Sequence, residues 1–207
     1  MGESKIGNDF QKLYGNIDIY LFDQLMKGTY GGCISVLDAG CGEGRNLHYF
    51  LKQGCNVFGV DQDPHAILKV QQLAHHLGRG EIAHQFSMMV VEELLFEEEA
   101  FDLVLSSAVL HFARNQEHFE AMLRSMWRVL KKGGYFFCRL ASDIGIESSL
   151  HFVGNGRYLL PDESERFLVN QEMLLRLTRK LGATLHEPIK TTVVQNIRSM
   201  TTWCLMK

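Results

Sequence analysis

Apolar residues run along the chain in two rhythms, helical stripes and short continuous runs. At the start, Phe10, Leu13, Tyr14, Ile17, Tyr20, Leu21 and Leu25 fall at mixed helical spacing, which predicts one or two helices ended by Gly28. "CISVLDA" is a β-branched apolar run and predicts a buried strand. "EGRNLHYFLKQG" puts Leu47, Phe50 and Leu51 on one face and predicts a helix from near Glu43 to Gly54. "NVFGVD" predicts a second strand. Asp63 as N-cap and Pro64 in the first turn then start a helix through "HAILKVQQLAHHL" to Gly78. "EIAHQFSM" reads as a third strand and "VVEELLFEEEAFD" as an acidic connector with one short helix. "FDLVLSS" reads as a fourth strand. A helix follows with Phe119, Met122, Leu123, Met126 and Leu130 in one stripe, then a break at "KKGG" and a fifth strand, "YFFCRLA". Residues 142–169 carry Gly, Ser and Pro punctuation without a sustained period. The chain closes with the helix "NQEMLLRLTRKLG" and two strands joined by a turn near Asn196.

Strand and helix alternate five times from Cys33 onward. Parallel strands need crossover helices, and right-handed crossovers cover both sheet faces, so the pattern predicts an α/β fold with a doubly wound, mostly parallel sheet. Ligands of such sheets bind beyond the carboxyl ends of the strands, at the switch point. The 207 residues fit a single domain, with residues 1–30 as a helical cap and 142–169 as an insertion over the site.

Composition narrows the classes. The chain is 46% hydrophobic, enough for a substantial core. A formal net charge of -3 gives no general attraction to nucleic acid or to anionic membranes, so neither is expected as a partner. No apolar run reaches membrane-span length, and "MGESKIGNDF" has no signal-peptide apolar core. Gly2 suggests myristoylation, but Ile6 stands where Ser or Thr is required. Five cysteines without a CxxC pair read as reduced thiols in a cytoplasmic protein. No histidine spacing suggests a metal site. The expected assembly is a monomer or a homodimer.

The chemistry concentrates after the first strand, in "SVLDAGCGEGRN". Gly40, Gly42 and Gly44 let a backbone turn tightly against a ligand, and the predicted helix start adds its positive end. About 20 residues on, Asp61 ends the second strand, where a carboxylate accepts ribose hydroxyls. The bland alternative is a plain tight turn and a solvated Asp. A dinucleotide fingerprint is GxGxxG, and its third position here is Arg45. Asp38 ahead of Gly40 would repel a phosphate and suits an ammonium group. A ligand with ribose, ammonium and carboxylate is S-adenosylmethionine.

The segments "VLDAGCGEGRN", "VFGVDQDP", "FDLVLSSAVLHF" and "LKKGGYFF" together resemble the signatures of class I S-adenosylmethionine-dependent methyltransferases, over roughly Tyr14 to Leu140 and more loosely beyond. The resemblance implies seven strands, with the strand after the last helix inserted antiparallel beside the fifth. It implies that Asp38, Gly40 and Gly42 hold the methionine end and that Arg45 meets the carboxylate. It puts Asp61 on the ribose, Gln62 beside the adenine, and the Ser106 carbonyl beside the cofactor amino group. The usual acidic adenine contact falls on Val90 or Val91, a departure that leaves the Val91 backbone or Glu92 to replace it. "GRNLHYFL" and the "YG" at Tyr14 also look like the small tellurite- and thiol-methylating enzymes.

Methyl transfer from a sulfonium is an in-line displacement and needs a base only when the acceptor starts protonated. His111, just past the fourth strand, is the best placed titratable group; a packed loop histidine is the alternative. Tyr14 and Tyr20 are candidate aromatic walls for a small-molecule substrate, or helix-docking residues. Arg157 is a candidate for an anionic substrate, or a surface ion-pair residue, as is Arg166. Two other functions stay open: a nicotinamide-dependent oxidoreductase, opposed by Arg45 and the lack of a separate substrate domain, and a non-catalytic S-adenosylmethionine-binding module.

Overall fold

The computed structural model describes residues 5–195 and 197–207; Gly2, Asn196 and the turn expected at Asn196 lie outside the described residues. In chain order the elements are α1 (Lys5–Tyr14), α2 (Ile19–Met26), β1 (Ser35–Ala39), α3 (His48–Lys52), β2 (Asn56–Asp61) and α4 (Pro64–His76). Next come β3 (Phe86–Met88), β4 (Phe101–Ser107), α5 (Gln116–Val129) and β5 (Leu130–Ala141). The remainder is β6 (His151–Gly154), β7 (Arg157–Leu159), β8 (Glu165–Phe167), α6 (Gln171–Lys180), β9 (Thr184–Leu185), β10 (Lys190–Val194) and β11 (Arg198–Met206).

The main sheet has the order β3-β2-β1-β4-β5-β11-β10, with short β9 also on β11. β3 to β5 are parallel, and β11 runs antiparallel to both β5 and β10. The sheet order reverses at β1, so β1 and β4 part the chain at their carboxyl ends, where a ligand crevice belongs. Alternate residues feed two cores. Val36, Leu103, Leu105 and Phe137 join α2, α3 and α4 on one face, while Leu37, Val104 and Phe136 join α5 and α6 on the other. Phe136 and Phe137 are fully buried, each stabilising its layer by about 1.5–3 kcal/mol. Among the described residues no helix is long and apolar enough to cross a membrane.

Five local expectations need correction. The helix after the glycine loop starts at His48, not near Glu43, because Gly44 takes a left-handed φ of 84° and the chain turns through Gly44–Leu47 first. "EIAHQFSM" is mostly a 3-10 turn over Gly80–Gln85, leaving three residues to β3. "KKGG" does not separate helix from strand: β5 begins at Leu130, and a ladder irregularity against β4 absorbs the glycines. Residues 142–169 hold a second sheet, β6-β7-β8, turned at Gly154-Asn155-Gly156. Of the closing strands it is β11, the last, that inserts beside β5.

Candidate active site

The loop after β1 is tied down by backbone. The N–H groups of Gly40 and Cys41 both donate to the Val60 carbonyl, at 2.8 and 2.9 Å. Gly40 has φ of 85°, and a Cβ there would lie 2.4 Å from Val109 Cγ2. At Gly44 a Cβ would lie 2.6 Å from Val70 Cγ2 and 2.9 Å from Leu73 Cδ2, so this backbone rests directly on α4. Gly44→Ala is therefore expected to cost about 2–4 kcal/mol, combining left-handed strain with overpacking. Urea unfolding measures it, and an unchanged midpoint would mean that the loop is not seated on α4.

Asp61 completes the turn. Its Oδ2 accepts the Gly42 N–H at 2.9 Å and its Oδ1 accepts the Asp63 N–H at 3.0 Å. Gly40, Gly42, Asp61 and Gln62 line one side of a cavity of about 460 Å³, a ligand-sized space. Val90, Val91, Val109, Phe112 and Met122 supply its apolar lining. At the polar part, Glu92, Arg114 and His118 meet. His118 Nδ1 accepts the Arg114 N–H at 3.1 Å, so the neutral ring carries its proton on Nε2 and donates it to Glu92 Oε1 at 2.8 Å. Burial works to raise the Glu92 pKa, but its backbone and His118 hydrogen bonds outweigh it and the net shift is downward.

Two residues ahead of Gly40, the Asp38 side chain is buried, 1% exposed, and neither oxygen has a hydrogen-bond partner among the described residues. Burial pushes its carboxyl up to about 7, with the Arg45 charge working against that and Asp61 adding to it. Arg45 Nη2 donates to Ser107 Oγ at 3.0 Å and lies 3.6 Å from Asp18 Oδ2. Ser106 is fully buried at the end of β4, and its hydroxyl has no partner. An orphaned anion, a nearby guanidinium and a carboxylate at the end of β2 suit a ligand with ammonium, carboxylate and ribose. Residues 37–138, which contain all three, match the family described as methyltransferase domain.

This stretch, just under half of the chain, is similar to the class I S-adenosylmethionine-dependent methyltransferases. S-adenosylmethionine is the cofactor that goes with that similarity, and the donors and acceptors just described fit it. The chain is similar to an uncharacterized methyltransferase, YodH, of Bacillus subtilis (strain 168), 35% identical over 115 residues, or 56% of this chain and 43% of that protein. The chain spans less than half the length of the first curated relatives it matches, 43% and 44%. Its fold is shared along 99% of both chains with the PH0226 protein from Pyrococcus horikoshii OT3, at a TM-score of 0.72 and 17% identity. A Burkholderia thailandensis 1,6-didemethyltoxoflavin-N1-methyltransferase with bound 1,6-didemethyltoxoflavin and S-adenosylhomocysteine also shares it. There the TM-score is 0.68 at 21% identity, over 98% of this chain and 82% of that one.

The fold places the other candidate residues unevenly. His111 is buried beside the cavity residue Phe112, at 4.7 Å between rings, but is not itself among the residues lining the cavity. Its Nδ1 accepts the Ala141 N–H at 3.2 Å, and burial, helped by the Arg166 charge, lowers its pKa to about 4. Tyr14 does not line the cavity; it stacks on Tyr49 at 5.6 Å and meets Phe22 edge-on, joining α1 to α2 and α3. Tyr20 shares a hydrogen bond with Thr192, and Arg139 lies 5.4 Å above its ring. Arg157 braces the small sheet, with Nε on Glu165 at 2.5 Å and Nη1 on the Ala113 carbonyl at 2.7 Å. Sequence reasoning missed Asp18, Asn46 and Arg139, which join Arg45 at the other side of the glycine loop. Their separations of 28 to 121 residues leave no local pattern to find.

Proposed function

We propose that the protein transfers the methyl group of S-adenosylmethionine to a small-molecule acceptor by in-line displacement. The observation that carries this reading is the buried, unpartnered carboxylate of Asp38 beside Arg45, heading a glycine turn whose cavity runs to Asp61. Bound S-adenosylmethionine supplies an electrophilic methyl on a sulfonium. Asp38 takes the ammonium and Arg45 the carboxylate. Asp61 accepts the ribose hydroxyls with the lone pairs that Gly42 and Asp63 leave free, and the Ser106 carbonyl flanks the amino group. Gln62 and Val91 flank the adenine within an apolar wall. The helices of residues 1–30 and the sheet of residues 142–169 act as two covers. Asp18 ties the first to the glycine loop and Arg157 ties the second to the turn that carries Phe112.

In this reading His111 supports the cavity wall at Phe112 and is not a base. The Ala141 N–H occupies Nδ1, so the neutral ring keeps its proton on Nε2 and has no free lone pair to take a proton from the acceptor. With a pKa near 4, His111 does not change charge between about pH 5.5 and 8, the window where an ordinary His titrates. The expected result is turnover that is flat across that window. His111→Ala should cost about tenfold or less in turnover, since it removes only the structural hydrogen bond to the Ala141 N–H. A rate falling steeply with pH in the parent and flat in His111→Ala would restore the base role. The same depressed pKa makes the stability contributed by His111 full above its unfolded value of about 6.5 and lost as pH falls toward 4.

The experiment is calorimetry with S-adenosylmethionine, S-adenosylhomocysteine and NAD, followed by a labelled-methyl screen of thiols, chalcogen oxyanions, phenols and amines. Binding of both sulfur ligands and methylation of one acceptor class is the expected result. Tight NAD binding without response to either sulfur ligand overturns the reading.

A further inference from the structure

We infer that Asp18 is a positioning residue of the cofactor site, holding Arg45 in place for the cofactor carboxylate and making the start of α2 part of that site. The inference rests on the assignment of Arg45 to that carboxylate.

Asp18 is the N-cap of α2, and its Oδ1 accepts the Tyr20 N–H at 3.0 Å. An N-cap needs nothing more. The caps of α4, α5 and α6, at Asp63, Asn115 and Asn170, are exposed or half-exposed. Asp18 alone among these four is buried, with its side chain wholly closed to solvent. Its second oxygen accepts from Arg139 Nη1 at 2.8 Å and from Ser107 Oγ at 3.3 Å, with Arg45 Nη2 at 3.6 Å. Its own N–H donates to Asn46 Oδ1 at 3.0 Å, so the tie to the Arg45–Asn46 pair runs in both directions. One carboxylate thus joins the start of α2, the glycine loop and the ends of β4 and β5.

A helix cap gains nothing from such burial. A buried carboxylate is costly unless it is paired, and here two guanidinium groups face it. One positive charge is left over, and Arg45 lies close enough to act on the Asp38 carboxyl as well. Arg45 is 47% exposed, so its long side chain has many rotamers open to it without an anchor. Asp18 and Ser107 remove that freedom and leave the remaining guanidinium donors for a planar carboxylate.

The test uses Asp18→Asn, which keeps a good N-cap and removes the charge. The two probes are S-adenosylhomocysteine, which has the amino-acid end, and 5′-methylthioadenosine, which lacks it. Asp18→Asn should weaken S-adenosylhomocysteine about 10–100-fold, the range for a lost hydrogen bond to a charged group. It should leave 5′-methylthioadenosine within about threefold of the parent. Equal changes for both probes, or none for either, overturn the inference. Hydrogen exchange on the parent gives a second measurement that needs no variant. The amides of Asp18 and Tyr20 should slow on saturation with S-adenosylhomocysteine and not with 5′-methylthioadenosine, and equal slowing overturns the inference. A parent that binds neither probe overturns the cofactor reading itself and the inference with it.

Discussion

Asp38→Asn is expected to weaken S-adenosylhomocysteine binding by about 100–4,000-fold, the 3–5 kcal/mol scale of breaking a buried ion pair, while stabilising the free protein above pH 7. Both effects follow from a carboxylate that is buried without a partner. The folded carboxyl titrates near 7, above its unfolded value of about 3.9. A raised folded pKa contributes stability that is full below the unfolded value and is lost as pH rises through 7. The amide has no such loss. The urea midpoint of the variant should therefore exceed that of the parent above pH 7, with the gap closing toward pH 4. Binding an ammonium needs the ionised form, so parent affinity should rise from about pH 5 to 7 and level off above, a slope that Asp38→Asn lacks. Calorimetry at several pH values, in buffers of different ionisation enthalpy, counts the proton released. Parallel pH profiles for parent and variant would show that Asp38 does not meet the ammonium.

Asp61→Ala should cost about 2–4 kcal/mol of cofactor affinity, because the carboxylate has two duties. It accepts the ribose hydroxyls, and it holds the Gly42 and Asp63 N–H groups that shape the loop. The loss should be the same for S-adenosylhomocysteine and 5′-methylthioadenosine, since both carry the ribose. That pattern separates it from Asp38→Asn, which should spare the smaller ligand. Asp61→Ala binding as well as the parent would mean that β2 does not reach the ribose.

The sequence made the centre of the molecule legible. Its glycine turn, Asp61 and buried strands rest on local rules: short apolar runs, positive-φ glycines and an Asp-Pro helix start. What escaped was set by tertiary context. β7 and β8 have three residues each, too few for alternation to show, although Gly154-Asn155-Gly156 marked the turn. "EIAHQFSM" has strand-like content, yet most of it coils against α4, and only Phe86–Met88 pairs with β2 as a strand. Tyr14 carries the chemistry of an aromatic wall and Arg157 that of an anion contact, but Tyr49 and Glu165 already engage them. Asp18 gave no signal, since its value comes from partners in the glycine loop and in two distant strands.

The placement of β11 between β5 and β10 has a consequence for synthesis. β5 ends at Ala141, but the strand that covers its outer edge ends at Met206, about 65 residues later. At ~5–20 residues per second, a ribosome leaves that edge bare for several seconds. An unpaired edge backed by fully buried phenylalanines is a template for other chains while it lasts. The nascent polypeptide has its cofactor loop long before its sheet is complete. Shielding by a chaperone would cover that edge in the interval, and slow codons placed between residues 141 and 206 would lengthen it.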